Sequence, residues 1–142
     1  MALQDLSLTL PMLGMLTLTM LVWAYLLVQR LGYATSHGID AENLKSPDQV
    51  AAQIPAESST ASHNFKNLLE VPVLFYVICL YLTMVGQVDS LYVNCAWAFL
   101  GFRVLHSLIH CSYNKVMHRF IVYLLASFAL WVMVVRALLA AL

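Results

Sequence analysis

The sequence predicts an all-α integral membrane protein, a single domain of four transmembrane helices packed as an antiparallel bundle. Three observations carry that prediction. The 142 residues are 62% hydrophobic and only 10% charged, too little polar surface for a soluble domain to cover itself. Mean hydropathy is strongly positive. The apolar residues also gather into four blocks, at about 6–31, 64–87, 90–113 and 118–141, each close to the roughly 20 residues that cross a hydrocarbon core. The partner this implies is a lipid bilayer. Formal charge is zero, with no basic stripe, so the electrostatic footprint of nucleic-acid binding is missing.

The first block is the plainest span, since Leu6 to Gln29 contains no charged residue. Asp5 precedes it, no basic segment leads into it, and it exceeds the length of a signal-peptide core, so a retained helix is expected. The segment at about 32–62 is the one long polar stretch, with two prolines, two glycines and most of the acidic residues. It reads as a surface loop. Within it, Ser46 can cap a short helix whose first position suits Pro47. By contrast, "GQVDS" and "SYNKVMH" are tight connections, which make the last three helices antiparallel neighbours. Cys79, Cys95 and Cys111 stand singly in apolar blocks, as buried free thiols do.

Orientation follows from lysine and arginine. Arg30, Lys45 and Lys66 flank the long loop, Lys115 and Arg119 flank the last one, and "GQVDS" has none; both basic loops are therefore expected on the cytoplasmic side. Arg136, near the far end of the last block, argues the other way and is outnumbered. The termini are then non-cytoplasmic. The expected setting is a bacterial inner membrane with periplasmic termini, the endoplasmic reticulum being the alternative, because the C-terminus shows no retention signal.

Charges at mid-membrane cost about 2.5–3.5 kcal/mol each on insertion scales, so those present should face protein or water. In "FRVLHSLIHCSYN", Arg103, His106, Ser107, His110 and Asn114 share one stripe at about 100° per residue. On the second block His63, Asn67 and Glu70 share a face. At about 1.5 Å per residue, Glu70 lies roughly 9 Å and Arg103 roughly 16 Å from the cytoplasmic ends of their helices, within reach of a long arginine. The two are expected to pair. Pro72 cannot donate to the carbonyl of Leu68, which leaves a polar backbone site beside them. Such groups can also simply glue a bundle together. His106 and His110 form an H-x-x-x-H pair with no second pair to complete a metal site, so hydrogen bonding and ligand contact are expected and metal binding is not.

The pattern "NLLEVP", then "RVLHSLIH", then Arg119 sixteen positions after Arg103, with Tyr123 four further on, resembles the membrane-associated proteins in eicosanoid and glutathione metabolism (MAPEG). The likeness covers the chain from about residue 63 onward, and the four-span layout agrees for the rest. The resemblance implies a homotrimer of four-helix subunits with glutathione bound at each subunit interface near the cytoplasmic side. It places Asn67, Glu70, Arg103, His106 and Tyr123 on positions that hold glutathione, and Arg119 on the arginine that stabilises its thiolate. Departures are visible too. Against the prostaglandin E synthase branch, His63 replaces an arginine, Phe65 a histidine, His110 a tyrosine and Phe120 a serine. His63 and His110 remain candidate ligand contacts, though fewer fixed cations are left for glutathione's carboxylates.

The expected function is a glutathione-dependent membrane transferase or peroxidase acting on a lipophilic electrophile, with glutathione as thiol cosubstrate. One alternative is a non-catalytic lipid-binding or scaffold protein of the same family. Another is a small transporter using the Glu70–Arg103 region as a polar path.

Overall fold

The computed structural model describes residues 7–142, apart from the side chain of Glu57; the expected start of the first span at Leu6, and Asp5 ahead of it, lie outside them. Helix α1 runs from Thr9 to Ser36. Its threonines do not break it, because Thr17 and Thr19 donate to the carbonyls of Leu13 and Met15, at 2.8 and 2.9 Å, which keeps their hydroxyls satisfied without water. The helix outlasts its expected end near residue 31 and stops where Gly38 turns left-handed at φ 62°, with Ile39 N–H reaching back to Ala34 O at 2.9 Å.

The loop is ordered by local chemistry. Asp40 caps a 3₁₀ turn, Ala41–Leu44. Ser46 and Gln49 form a reciprocal capping box at the head of α2, Pro47–Gln53, with Pro47 in its first turn. A second 3₁₀ turn, Ala56–Ser59, leads into α3, Thr60–Leu68. Ile54, 3% exposed, anchors the loop. Gln29 of α1 accepts from Ala61 N–H at 3.2 Å and so satisfies one open donor at the head of α3.

The second apolar block is two helices instead of one. The chain leaves helical geometry at Glu70, ψ −102°, and resumes as α4, Val71–Met84, with Pro72 in its first turn. Helix α5 spans Ser90–Cys111 and α6 spans Val116–Ala141. Asp89 caps α5 through Leu91 and Tyr92 N–H, both at 3.1 Å, and its carboxylate takes two bonds from Arg136, at 2.8 and 2.5 Å. The head of α5 is thus tied to the tail of α6, and the two helices are antiparallel. The same clamp explains why Arg136 sits at an end of the chain otherwise without basic residues.

Three stretches, Thr9–Ser36, Thr60–Met84 and Val116–Ala141, are long and apolar enough to cross a membrane; the 22-residue α5 is long enough but carries the polar stripe. Exposed leucines, valines and methionines cover α1, α4 and α6, a surface suited to lipid. The core is apolar around Phe75 and Phe99, whose rings stack at 4.4 Å, and around Met15, Leu82, Leu130 and Met133, all fully buried. Gly14 lets α1 approach α5, since a Cβ there would lie 2.6 Å from Leu100 Cδ2. Beyond Phe99 toward the α5 C-terminus the buried residues turn polar.

Candidate functional site

Helical periodicity puts the α5 stripe inward, and burial agrees: Arg103 is 0% exposed, His106 and Ser107 3%, and His110 5%, while Leu105 and Leu108 face outward. Arg103 Nη2 donates to Asn67 O at 3.0 Å and to Asn67 Oδ1 at 2.8 Å. Both acceptors lie just ahead of the helix break, where the backbone no longer satisfies itself. The expected pairing with Glu70 is not what forms. Among the described residues the ion pairs are Lys45–Glu42 and Arg136–Asp89; Glu70 is exposed and takes only a 3.4 Å bond from Asn67 Nδ2. The break turns Glu70 outward, and Asn67 stands between the two charges. Pro72 does mark a polar backbone site, but the carbonyl Arg103 takes is that of Asn67 rather than Leu68.

Three polar atoms of this buried group, Arg103 Nε, Arg103 Nη1 and His106 Nδ1, have no hydrogen-bond partner, and neither does His110 Nδ1. Burying such polar groups without a partner costs about 1–3 kcal/mol each, so they are poised for one. The Arg103 guanidinium lies 5.9 Å from the Tyr123 ring centre. The two imidazoles meet edge to face at 5.5 Å, and His106 lies 6.1 Å from Tyr123. No group of three metal-ligating side chains occurs among the described residues.

Arg119 stands one turn into α6. Its Nη1 donates to Asn114 Oδ1 at 2.6 Å, and Asn114 occupies the left-handed region, φ 49°, which asparagine tolerates better than most residues. The interhelix turn therefore shapes the backbone and also aims the arginine. A cavity of about 200 Å³ opens beside it, lined by Asn67, His106, Val116, Arg119, Phe120 and Tyr123. Four of the residues singled out in the sequence thus meet at one surface, with Arg103 directly behind Asn67. The fixed charges there, two guanidinium groups against one outward carboxylate, favour an anion.

A family model described as the MAPEG family matches residues 8–139, nearly the whole chain. The chain belongs to the MAPEG family. No characterised protein and no solved structure matches it at a comparable level. The family includes glutathione-dependent transferases and peroxidases, and within this MAPEG chain the cavity joins the candidates unevenly. His110 is buried beside His106 and does not line it. His63 lies on a different cavity, beneath the loop, because it sits a full turn before Asn67 on α3 and faces α2. Two contributors escape the sequence reading. Asn64 bonds Ser107 at 3.3 Å and Cys111 at 3.4 Å, locking α3 to α5; its signal was a second asparagine in an otherwise apolar block. Asn114 was visible as a stripe member, but nothing local announced that it would orient Arg119.

Proposed function

We propose that this protein is a glutathione-dependent membrane transferase or peroxidase acting on a lipophilic electrophile. The observation that carries the reading is the single cavity shared by Asn67, His106, Arg119 and Tyr123. Glutathione, when bound, supplies a thiol that reacts as its thiolate. The donor set supports it: Arg119, which lines the cavity, suits the anionic sulfur, while Arg103, fully buried behind Asn67, adds positive charge at the back of the site that favours glutathione's carboxylates. A thiol has an unperturbed pKa near 8.5, and a fixed guanidinium in a water-poor site favours the nucleophilic thiolate form. Asn114 holds that guanidinium in place, Asn67 aligns Arg103, and Val116 and Phe120 keep one wall apolar. Phe120 is 51% exposed and offers an approach for an apolar substrate from the bilayer.

A cavity of about 200 Å³ is smaller than the roughly 300–1,000 Å³ of ordinary ligand sites, which supports completion of the site by neighbouring subunits of a homotrimer. In this reading α5 is a fourth crossing, so both basic loops share one side of the membrane; their lysines and arginines favour the cytoplasm, with the termini outside, in a bacterial inner membrane or an endoplasmic reticulum. The lipid-binding or scaffold reading draws on Phe120, which puts a ring where the prostaglandin E synthase branch carries a serine. The transporter reading finds less support, because Phe75 and Phe99 close the core beyond Arg103.

The test is titration of detergent-purified protein with glutathione, followed by conjugation of an electrophilic aryl halide. Saturable heat of binding and turnover that Arg119→Ala abolishes are expected. Absence of both removes the enzyme reading; retained lipid with no effect of Arg119→Ala favours the scaffold.

A further inference from the structure

A second cavity, of about 350 Å³, lies at the loop end of the bundle between α1, α3 and the folded loop. Arg30, Lys45, His63 and Lys66 line it together with the hydroxyls of Ser46, Ser59 and Ser62. Its described lining side chains, which do not include that of Glu57, contain no carboxylate. Arg30 and Lys66 have no ion pair or side-chain hydrogen bond there, while Lys45 is engaged only by Glu42 at an exposed site, an interaction weak enough to exchange. The frame is fixed: Ile54 is buried beneath α2, and Gln29, the neighbour of Arg30, bonds the backbone of Ala61 at 3.2 Å.

Depth identifies the occupant. Exposed apolar side chains on α1 run from Leu10 to Leu31, about 32 Å at 1.5 Å per residue, close to the roughly 30 Å of a hydrocarbon core. Arg30 therefore stands where acyl chains give way to headgroups. Lys66 has the same relation to Leu69, Val73 and Leu74, which begin the exposed apolar face of the second block. The two unpaired cations, Arg30 and Lys66, with serines beside them at that level, fit a phosphate whose attached chains continue along apolar helix surface.

We propose that this cavity binds the phosphate headgroup of an anionic membrane lipid, separately from the Arg119 cavity. The full-length protein, purified in neutral detergent, is mixed with dioctanoyl phosphatidylglycerol, dioctanoyl phosphatidylcholine or glycerol 3-phosphate; lipid retention is read by native mass spectrometry and stability by Tm. Phosphatidylglycerol is expected to be retained and to raise Tm above the value with phosphatidylcholine. Arg30→Gln and Lys66→Gln should each weaken it about fivefold, Lys66→Arg should preserve it, and Lys115→Gln, a charge removed at the other basic loop, should leave it unchanged. Lys66 is exposed, so its single variants keep the test intact if changes at Arg30 impair folding. Equal effects of the two lipids, or an equal loss in Lys115→Gln, would overturn the site. Glycerol 3-phosphate acting as strongly as the lipid would overturn the lipid assignment, and displacement of the lipid by glutathione would overturn its separateness from the thiol site.

Discussion

Replacing Asn67 by alanine should be the most damaging small change at the polar end of the core. It deletes the 2.8 Å bond from the fully buried Arg103 to Oδ1 and leaves only the 3.0 Å bond to the backbone carbonyl. Hydrogen bonds to charged groups contribute about 1.5–3 kcal/mol, so a loss of about 2 kcal/mol is expected. For a chain of this length that corresponds to a fall in Tm of about 7 °C. Glu70→Gln should cost under about 0.5 kcal/mol, because Glu70 is exposed, its bond to Asn67 is 3.4 Å, and an amide oxygen still accepts. Adding Arg103→Met to Asn67→Ala removes the stranded charge, and the double variant should lie within about 1 kcal/mol of Arg103→Met alone. Loss of helical circular dichroism on heating in a fixed detergent measures the four variants against wild type. Equal shifts for Asn67→Ala and Glu70→Gln would show that Glu70 balances Arg103 after all, and the account of the helix break would fail.

Three further outcomes follow from other parts of the molecule. Asn114→Gly keeps the left-handed turn but removes the acceptor for Arg119, so stability should hold within about 0.5 kcal/mol while thiol-conjugating turnover falls about tenfold, or about 1.4 kcal/mol of barrier; Asn114→Ala should in addition lose about 1 kcal/mol of stability to backbone strain. The bonds from Arg136 pull the Asp89 carboxyl down to about 2, below the roughly 3.9 of an unfolded aspartate. The stabilisation is therefore complete above about pH 4 and is lost as pH falls toward 2; the Tm gap between wild type and Asp89→Asn should be constant at neutral pH and should close over that acid window. Gly14→Ala should cost under about 1 kcal/mol, since its Cβ would lie 2.6 Å from Leu100 Cδ2, the end of a flexible side chain that can swing aside, and Leu100→Ala in the same chain should remove that contact, as read in the same thermal melts.

What the sequence determined by itself is everything set by neighbours along the chain. The apolar block lengths gave spanning helices, Ser46 with Pro47 gave the start of α2, and the 100° step of a helix gave the inward stripe of Arg103, His106, Ser107 and His110. These depend on dihedral preferences and on the rise per residue, which act within a turn or two. Tertiary structure alone decided which side chains meet. An unbroken helix would keep Asn67 and Glu70 on one face; the break before Val71 leaves Asn67 facing Arg103 and turns Glu70 out. His63, one turn earlier, joins the loop cavity instead of the Arg119 cavity, and Asn114 becomes the support of Arg119 through a turn whose handedness no periodicity encodes. Contacts between helices depend on relative rotation and register, fixed by packing across the whole bundle, and a rotation of one residue exchanges one hydrogen-bond partner for another.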